Sequence, residues 1–485
     1  MIPLSPEEAG QALGTPPLRS AVGGVSVDTR NLRPGDLFIA LVGERFDGHE
    51  YVSAALAAGA CGAVVSTGHS IAGINEIEKQ GRSNLIYPVN SPLLALGALA
   101  RAVRRRSQAV VIAVTGSVGK TGTKDLIRAM AGMERVVLAT ESNLNNEIGV
   151  PLTLLQIDKA TEIVVLEMGM RGLGQIAYLA DVAEPDVGVI TNVAPVHLEL
   201  LGSLDNVAQA KGELLMRLKP DGVGVVPVQC PSLDPWVEQC GRRVVRFLLR
   251  DTREHLDAAV AIEGKRSDVV GQITACDMGR CLLNMKWPEG ETEAITPFAA
   301  RYRLENAVAA AAACYAAGLS LAQCLAGIGG VVFTPGRGDE YDVGGLVILD
   351  DTYNANPEAV AVALTDLVQR AREVGGRPVA VLGDMLELGA DTSYYHAEAG
   401  RCAAQAGTRV LYAVGDQAEI MRDAFLEVAD DGRVAVALPL GELESLVAEL
   451  KTHLNPGDVV LVKGSRRLGL ERVVQGLLRL AGGEC

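Results

Sequence analysis

Short, continuous apolar runs alternate with helical stretches along most of this sequence. The run at 109–114 is followed by a helical stretch at 124–130, and further strand-like runs lie at 162–166, 187–190 and 222–226. Continuous apolar runs are typical of strands that are buried on both faces, and their alternation with helices predicts mostly parallel sheets covered by helices. The sequence therefore predicts an α/β fold.

The chain of 485 residues is long enough for about three domains of ordinary size. Residues 1–107 are predicted to form a small N-terminal α/β domain that ends with the helical stretch 92–106. Residues 108–330 are predicted to form a central domain built on a mostly parallel sheet, with 251–300 as an antiparallel extension. Strand-like runs separated by helical stretches continue through 331–485, which predicts a C-terminal, Rossmann-like domain.

Charge and composition exclude several classes of function. Lys and Arg total 44 against 59 Asp and Glu, and this net charge of −15 argues against binding to nucleic acid. Residues 1–10 lack the basic and apolar segments of a secretory signal, and no charge-free apolar run is long enough to span a membrane. Nine cysteines without CxxC spacing predict reduced thiols, no zinc site and a cytoplasmic location.

A glycine-containing loop at 115–121 is the sharpest local motif. The chain runs from a predicted strand through Gly116 and Gly119 into Lys120 and Thr121, and then into a helix. In such a loop, backbone N–H groups surround phosphate oxygens, the lysine supplies positive charge and the threonine hydroxyl binds Mg²⁺. The two glycines are closer together than in the general P-loop. The motif predicts nucleotide binding, and the alternative is an ordinary glycine turn before a helix.

Other polar groups follow predicted strands, where open α/β sheets bind their ligands. Glu167 ends one strand and His197 follows another, so both become candidate metal ligands beside a phosphate loop. By itself, each is more commonly a capping or solvated group. By default, Lys211 would be a surface helix lysine and the polar segment 349–357 an Asx-type turn.

Taken together, the motifs resemble those of the ATP-dependent muramyl ligases of peptidoglycan synthesis, and the resemblance covers nearly the whole chain. The strings Asn-Asn-Glu-Ile-Gly at 145–149 and Tyr-Asn-Ala-Asn-Pro at 353–357 are typical of the branch that adds a dipeptide. The other matching segments are 28–30, 34–41, 47–49, 115–121, 167–169, 197–199, 210–213, 383–389 with His396, and 463–466.

This resemblance implies an N-terminal domain that binds the UDP end of the substrate, a central ATPase and a C-terminal domain that closes over the nucleotide. The implied activity uses ATP and Mg²⁺ to convert the carboxylate of UDP-N-acetylmuramoyl-tripeptide to an acyl phosphate and joins D-alanyl-D-alanine to it. The enzyme would work in the cytoplasm as a monomer. Whether the third residue of the tripeptide is lysine or diaminopimelate stays open.

The resemblance also implies roles for individual residues. The implied ATP contacts are Gly116, Ser117, Val118, Gly119, Lys120, Thr121, Asn306, Arg337, Asp351, Tyr353 and Asn354. The implied metal ligands are Thr121, Glu167, His197 and Lys211, of which the last three are also expected to be catalytic together with Lys120. Lys211 would carry a carbamate, which turns its cation into an anion. The implied contacts to the UDP-linked substrate are Thr29, Arg30, His49, Asn145 and Asn146.

Some positions depart from the family pattern. Val118 replaces the usual Asn or Ser, Gly122 replaces Thr or Ser, and Tyr302-Arg303 replaces a His-Asn pair. The alternatives are a related ligase that adds the third amino acid, a folylpolyglutamate synthase-like ligase, and, from another class, a GTPase-like switch. The first would be expected to carry Asp-Asn-Pro-Arg and the last Asn-Lys-x-Asp, and neither string occurs in this chain.

Overall fold

The computed structural model describes residues 1–43, 46–141, 143–195, 198–251, 267–277, 279–429 and 432–480. Within these residues the strands form three mostly parallel sheets with helices packed against them, so the predicted α/β fold is confirmed. No helix in the described part of the chain is long and apolar enough to cross a membrane.

The first sheet has four parallel strands in the order β1-β2-β3-β4. Its strands are β1 Gly24–Ser26, β2 Asp36–Ile39, β3 Gly62–Ser66 and β4 Ile86–Val89. The helices of this part are α1 Pro6–Leu13, α2 Val52–Ala57, α3 Ile74–Lys79 and α4 Pro92–Arg106. Ser5 caps α1 and Ser91 caps α4, each by accepting a backbone hydrogen bond from the first turn.

The second sheet has nine strands in the order β13-β12-β11-β10-β9-β8-β5-β7-β6. The strands are β5 Val110–Thr115, β6 Val137–Ala139, β7 Ile163–Glu167, β8 Val187–Ile190, β9 Val223–Pro227, β10 Arg243–Asp251, β11 Val269–Asp277, β12 Arg280–Trp287 and β13 Gly290–Thr296. The helices are α5 Lys120–Ala131, α6 Gly149–Leu154, α7 Gln175–Ala183, α8 Leu198–Leu201, α9 Leu204–Met216, α10 Asp234–Cys240, α11 Arg301–Ala316 and α12 Leu321–Cys324.

Strands β11 to β13 form the antiparallel extension that the sequence predicts. Cys276 and Cys281 lie opposite each other on β11 and β12 and form a disulfide. The expectation of reduced thiols throughout is therefore wrong at this pair, because the hairpin brings together two cysteines that the sequence shows only as an isolated spacing of five. The free cysteines among the described residues are Cys61, Cys230, Cys240, Cys314, Cys324 and Cys402.

The third sheet has six strands in the order β14-β15-β19-β16-β17-β18, and only β14 is antiparallel to its neighbour. Its strands are β14 Asp339–Val343, β15 Leu346–Asp351, β16 Pro378–Gly383, β17 Val410–Val414, β18 Val434–Leu438 and β19 Val459–Lys463. Its helices are α13 Pro357–Val374, α14 Thr392–Ala406, α15 Ala418–Val428, α16 Leu443–His453 and α17 Glu471–Leu480.

The apolar run of β5 is continuous because both faces of the central sheet are covered. Val111 and Ala113 belong to one core, whereas Ile112 and Val114 belong to another on the opposite face. The first core also contains Leu37 of the N-terminal sheet. The N-terminal sheet therefore shares a core with one face of the central sheet, and helix α4 contacts both β3 and the helices α6 and α7 of the central part.

Candidate active site

A cavity of about 1260 Å³ lies at the carboxyl ends of strands from two sheets. The loops after β5, β7 and β8 line it from the central sheet, and those after β15, β16 and β19 line it from the third sheet. Ligands of open α/β sheets bind at this edge. The cavity therefore brings together predicted residues that are separated by more than 200 positions, such as Lys120 and Asp351.

The phosphate loop is held by polar groups at the end of β8. Asn192 Oδ1 accepts hydrogen bonds from the backbone N–H groups of Ser117 and Val118, both at 3.0 Å. The Thr191 hydroxyl donates to the Val118 carbonyl at 2.6 Å. Only the backbone of Val118 makes these bonds, which explains why the loop tolerates valine. Asn192 is not among the residues predicted from the sequence, although its position just after a predicted strand could have indicated it.

Lys120 begins α5, directly after Gly119, whose φ of 83° favours glycine. Its ammonium donates to the carbonyls of Gly116 and Ser117 at 2.7 and 3.2 Å. Burial is the main cause that lowers the pKa of Lys120 to about 8; the nearby Glu167 carboxylate opposes this shift and Arg337 contributes to it. An anion bound in the loop would stabilise the charged form of Lys120.

Glu167 is 1% exposed and lies between Thr121, a predicted metal ligand, and Asn145, a predicted substrate contact. The Thr121 hydroxyl donates to one carboxylate oxygen, and the Asn145 amide donates to the other, both at 2.8 Å. A buried carboxylate next to a hydroxyl is a set of oxygen donors that suits Mg²⁺. Asn145, predicted as a substrate contact, lines the same cavity and orients the carboxylate.

Lys211 lies on α9 and is 2% exposed, so the default expectation of a surface lysine is wrong. The ammonium has no hydrogen-bond or ion-pair partner among the described residues. Burial and the positive charge of Lys120 together lower the pKa of Lys211 well below its usual value. The side chain lines the cavity with Glu167, so the arrangement favours a neutral amine close to the candidate metal ligands.

Asn306 on α11 is nearly buried and contacts the phosphate loop from the opposite side. A Cβ atom added at Gly122 would lie 2.8 Å from Asn306 Nδ2. A side chain at residue 122, where this chain departs from the family pattern, would therefore have to displace the amide end of Asn306.

The third sheet and the segment before it contribute the other predicted ATP contacts, which are Arg337, Asp351, Tyr353 and Asn354, and Lys463, which was not predicted to bind ATP, lies beside Asp351. Lys463, at the end of β19, forms a 2.6 Å ion pair with Asp351 and donates to the Asn354 carbonyl at 2.9 Å. The Arg337 guanidinium lies 3.8 Å from the centre of the Tyr353 ring. The structure thus brings these residues into the cavity of the phosphate loop, and the Asx-type turn is part of its lining.

Three residues predicted to bind the UDP-linked substrate, Thr29, Arg30 and His49, do not line this cavity. Arg30 is exposed and ion-paired with Asp28 at 2.6 Å. His49 is buried, and both of its ring nitrogens are occupied by Asp47 Oδ1 and the Ser66 N–H. His49 can therefore support the shape of this loop region, whereas direct contact with a ligand would require one of these bonds to break.

Asn146 lines the cavity, but its side-chain oxygen accepts hydrogen bonds from the N–H groups of Ile148 and Gly149. Its observed contact therefore supports the start of α6. The predicted metal ligand His197 lies outside the described residues.

Asp47 forms a small cluster with His49 and His69, and each imidazole lies 2.7 Å from a different oxygen of its carboxylate. The His49 backbone N–H makes the largest contribution that lowers the pKa of Asp47 to about 2. The cluster is held together by its own hydrogen bonds.

Sequence comparison places this fold and cavity in a known class of enzymes. Residues 21–104 match the Mur ligase family catalytic domain, 114–314 the Mur ligase middle domain, and 336–466 the Mur ligase glutamate ligase domain. The chain therefore belongs to the Mur ligase family.

Two curated relatives bear the name UDP-N-acetylmuramoyl-tripeptide–D-alanyl-D-alanine ligase. The Escherichia coli protein is 33% identical over 457 residues, which covers 93% of each chain. The Synechocystis protein is 36% identical over 458 residues, which covers 94% of this chain and 92% of the relative.

Solved structures support the same relationship. MurF from Acinetobacter baumannii has a TM-score of 0.83 and 29% identity and covers 98% of this chain and 99% of its own. MurF ligase from Thermotoga maritima, solved in complex with ADP, has a TM-score of 0.79 and 27% identity and covers 95% of this chain and 98% of its own.

Proposed function

We propose that this chain is an ATP-dependent amide ligase that joins D-alanyl-D-alanine to UDP-N-acetylmuramoyl-tripeptide. The relatives that bear this name align with more than nine-tenths of the chain. The observation that carries the proposal is the single cavity that unites the phosphate loop, a buried carboxylate and the ends of strands from the third sheet.

The expected reaction has two steps. The terminal carboxylate of the tripeptide attacks the γ-phosphorus of ATP, forms an acyl phosphate and releases ADP. The dipeptide amine then attacks the acyl carbon, and the amide forms as phosphate and a proton leave. Lys120 stabilises negative charge on the transferring phosphoryl group, and the walls of the cavity limit access of water to the acyl phosphate.

The residues in the cavity fit a magnesium ion. Thr121 and Glu167 would hold it, because the hydroxyl and the buried carboxylate already lie within hydrogen-bond distance of each other. Bound Mg²⁺ would supply positive charge to the phosphate oxygens. Asn145 keeps the Glu167 carboxylate oriented through its second oxygen.

We also propose that Lys211 is carbamylated in the active enzyme. Its buried amine lacks a described counter-ion, and burial and the charge of Lys120 favour its neutral form. The neutral amine attacks CO₂, forms an N–C bond and loses a proton to solvent, and the product is an anion. This anion would interact favourably with the Lys120 cation, whose positive charge acts on Lys211.

The carbamate can be tested by chemical rescue. Lys211→Ala should be nearly inactive, and formate or acetate should restore part of its activity by placing a carboxylate in the vacated space. Labelled ¹³CO₂ should give a carbamate carbon resonance in the unsubstituted enzyme and none in the variant. A plain ammonium in crystals grown at an active pH, with full activity in CO₂-depleted buffer, would contradict the proposal.

For the UDP-linked end of the substrate, we propose the N-terminal sheet, with Thr29 and Arg30 as contacts and with His49 supporting the backbone at Ser66, the end of β3. Thr29 and Arg30 lie in the loop between β1 and β2. Arg30→Ala should raise the KM for UDP-N-acetylmuramoyl-tripeptide while the KM for ATP stays constant. Equal changes in both constants would argue against a direct contact.

The choice of amine distinguishes the proposed activity from its alternatives. The test offers D-alanyl-D-alanine, L-lysine, diaminopimelate and L-glutamate, each with a matching UDP-muramoyl or folate acceptor and Mg·ATP, and measures phosphate release and product mass. We expect product only with the dipeptide and a tripeptide acceptor. Ligation of a free diamino acid to the UDP-muramoyl-dipeptide would instead identify the enzyme that adds the third residue. Parallel tripeptides that end in lysine or diaminopimelate determine the preferred acceptor.

A further inference from the structure

The segment 331–338 connects the central sheet to the third sheet, and the side chain of Arg303 on α11 contacts it. The Arg303 guanidinium donates to the carbonyl oxygens of both Arg337 and Gly338, at 2.9 and 2.5 Å. The same guanidinium lies 4.3 Å from the centre of the Phe333 ring. We call residues 331–338 the linker. One side chain of the central domain thus contacts the linker at three points.

Two further contacts fix the same segment. Asp125 of α5 accepts a hydrogen bond from the Thr334 backbone N–H at 2.8 Å. The Tyr302 hydroxyl occupies the space in which a side chain at residue 338 would lie, and Gly338 has a φ of 81°. The linker therefore has a defined path over α5 and α11, the two helices that also carry Thr121 and Asn306.

The linker in turn presents Arg337 to the cavity. Arg337 stacks on Tyr353 at 3.8 Å, and its Nε atom is buried without a hydrogen-bond acceptor among the described residues. An N–H group left in this state is costly unless a ligand supplies the acceptor. A phosphate oxygen of a bound nucleotide is such an acceptor.

We propose that Arg303 is a positioning residue for the nucleotide, which acts by fixing the linker so that Arg337 faces the phosphates. This inference rests on the proposed function, because it requires ATP to occupy the cavity. It also gives a role to the Tyr302-Arg303 pair, which stands where the family usually has His-Asn. Arg303 binds the carbonyl of Arg337 itself, so loss of Arg303 releases the backbone of the residue that would meet the nucleotide.

A lysine cannot replace Arg303 fully. The planar guanidinium can donate to two carbonyls from one rigid group while its face stacks on Phe333, whereas an ammonium is a single point charge. Arg303→Lys should therefore retain part of the linker contact.

The test measures the Kd for Mg·ADP by calorimetry in Arg303→Ala, Arg337→Ala and the double variant, together with steady-state kinetics. We expect each single variant to weaken Mg·ADP binding about tenfold, and the double variant to lose about tenfold as well, because both changes remove the same interaction. The KM for D-alanyl-D-alanine should stay within about twofold of its original value. Losses that multiply in the double variant, or unchanged binding in Arg303→Ala, would overturn the proposal.

Arg301→Ala is the matched control, since Arg301 lies on the same helix and pairs with Glu305 at 3.3 Å. It should bind Mg·ADP as the unsubstituted enzyme does. If Arg303→Ala fails to fold, Arg303→Lys and Phe333→Leu provide the test. We expect both to lose some Mg·ADP affinity, though less than tenfold. Unchanged affinity in both variants would reject the proposal. Failure of the proposed function would look different, since the unsubstituted enzyme would then bind Mg·ADP but release no phosphate from Mg·ATP when UDP-N-acetylmuramoyl-tripeptide and D-alanyl-D-alanine are both supplied.

Discussion

Lys120 and Asp366 illustrate how burial changes ionisable groups near the cavity in opposite directions. Burial disfavours the charged form of each, so it lowers the pKa of the lysine and raises that of the carboxyl. Lys120 has an expected partner in the nucleotide phosphates. Asp366 has a buried oxygen, Oδ2, without a hydrogen-bond partner among the described residues.

We predict that Asp366 makes stability depend on pH. Its pKa is raised from 3.8 to about 7, mainly by burial and also by the carboxylates of Asp351 and Glu305, against the opposing effects of the Arg301 N–H and Arg303. The folded state therefore keeps a proton on Asp366 at pH values where the unfolded chain has lost it. The contribution of Asp366 to the free energy of unfolding is present below about pH 4 and is lost as pH rises through about 7. Asp366→Asn should increase the free energy of unfolding at about pH 8 by roughly 2–4 kcal/mol.

Urea unfolding across this pH range measures the effect. The slope of stability against pH should be smaller in Asp366→Asn, and the two proteins should converge near pH 4. Asp342→Asn, which alters an exposed carboxylate on β14, controls for loss of a negative charge. Parallel curves for Asp366→Asn and the unsubstituted enzyme would show that Asp366 does not carry the dependence.

Helix α5 combines catalytic and structural residues on one element. It begins with Lys120 and Thr121 at the phosphate loop, and one turn later it carries the buried pair Lys124 and Asp125, whose charged atoms are 2.9 Å apart. Lys124 also donates to the Thr140 carbonyl at 3.0 Å. The first turn of α5 therefore positions the predicted catalytic and metal-binding side chains, and the next turn fixes the helix to its neighbours.

We predict that removing one member of the Lys124–Asp125 pair lowers the free energy of unfolding more than replacing both members with apolar residues. Asp125→Ala leaves the Lys124 charge buried without its carboxylate and should reduce the free energy of unfolding by about 3–5 kcal/mol. The apolar double variant Lys124→Met, Asp125→Leu should lose less, because it leaves no uncompensated charge. Urea unfolding provides the measurement, and a double variant that is less stable than Asp125→Ala would contradict this account. Arg128→Ala, exposed on the same helix, should change stability by less than about 0.5 kcal/mol.

At the scale of the whole molecule, the cavity requires two sheets to lie close together. Arg171, after β7, and Glu387, after β16, form a 3.4 Å ion pair across the cavity, but both side chains are largely exposed. Such exposed pairs contribute little free energy. The arrangement of the two sheets should therefore depend on bound substrates more than on this contact.

We predict that substrates make the enzyme more compact. A non-hydrolysable ATP analogue with Mg²⁺ and UDP-N-acetylmuramoyl-tripeptide should decrease the radius of gyration measured by small-angle X-ray scattering, because the ligands bridge both walls of the cavity. Lys120→Met should need more nucleotide to reach the same change. Identical scattering with and without saturating ligands would indicate that the closed arrangement already exists in the free enzyme.

The monomeric state and the domain boundaries near residues 107 and 330 stay predictions. Sedimentation can check the first, and limited proteolysis the second.

The sequence by itself determined the features that depend on neighbouring residues. The apolar run at 187–190 matches β8 to the residue, because a strand buried on both faces must be apolar at every position. The loop that ends in Lys120 and Thr121 was likewise predicted from spacing alone. Strand β14 was not predicted, since Asp-Glu-Tyr-Asp-Val has no continuous apolar pattern. Strand β18 was not predicted either, although its Val-Ala-Val-Ala-Leu is apolar throughout.

Only the tertiary structure decided which distant groups meet. Burial of Lys211, the support of the phosphate loop by Asn192, and the contact of Arg303 with the linker each depend on how separate elements pack. The pairing of Cys276 with Cys281 depends on the register of one hairpin. Local sequence sets which side chain is available, but the local dielectric and the partner atoms are set by packing, and these determine whether a lysine is a solvated cation or a buried amine.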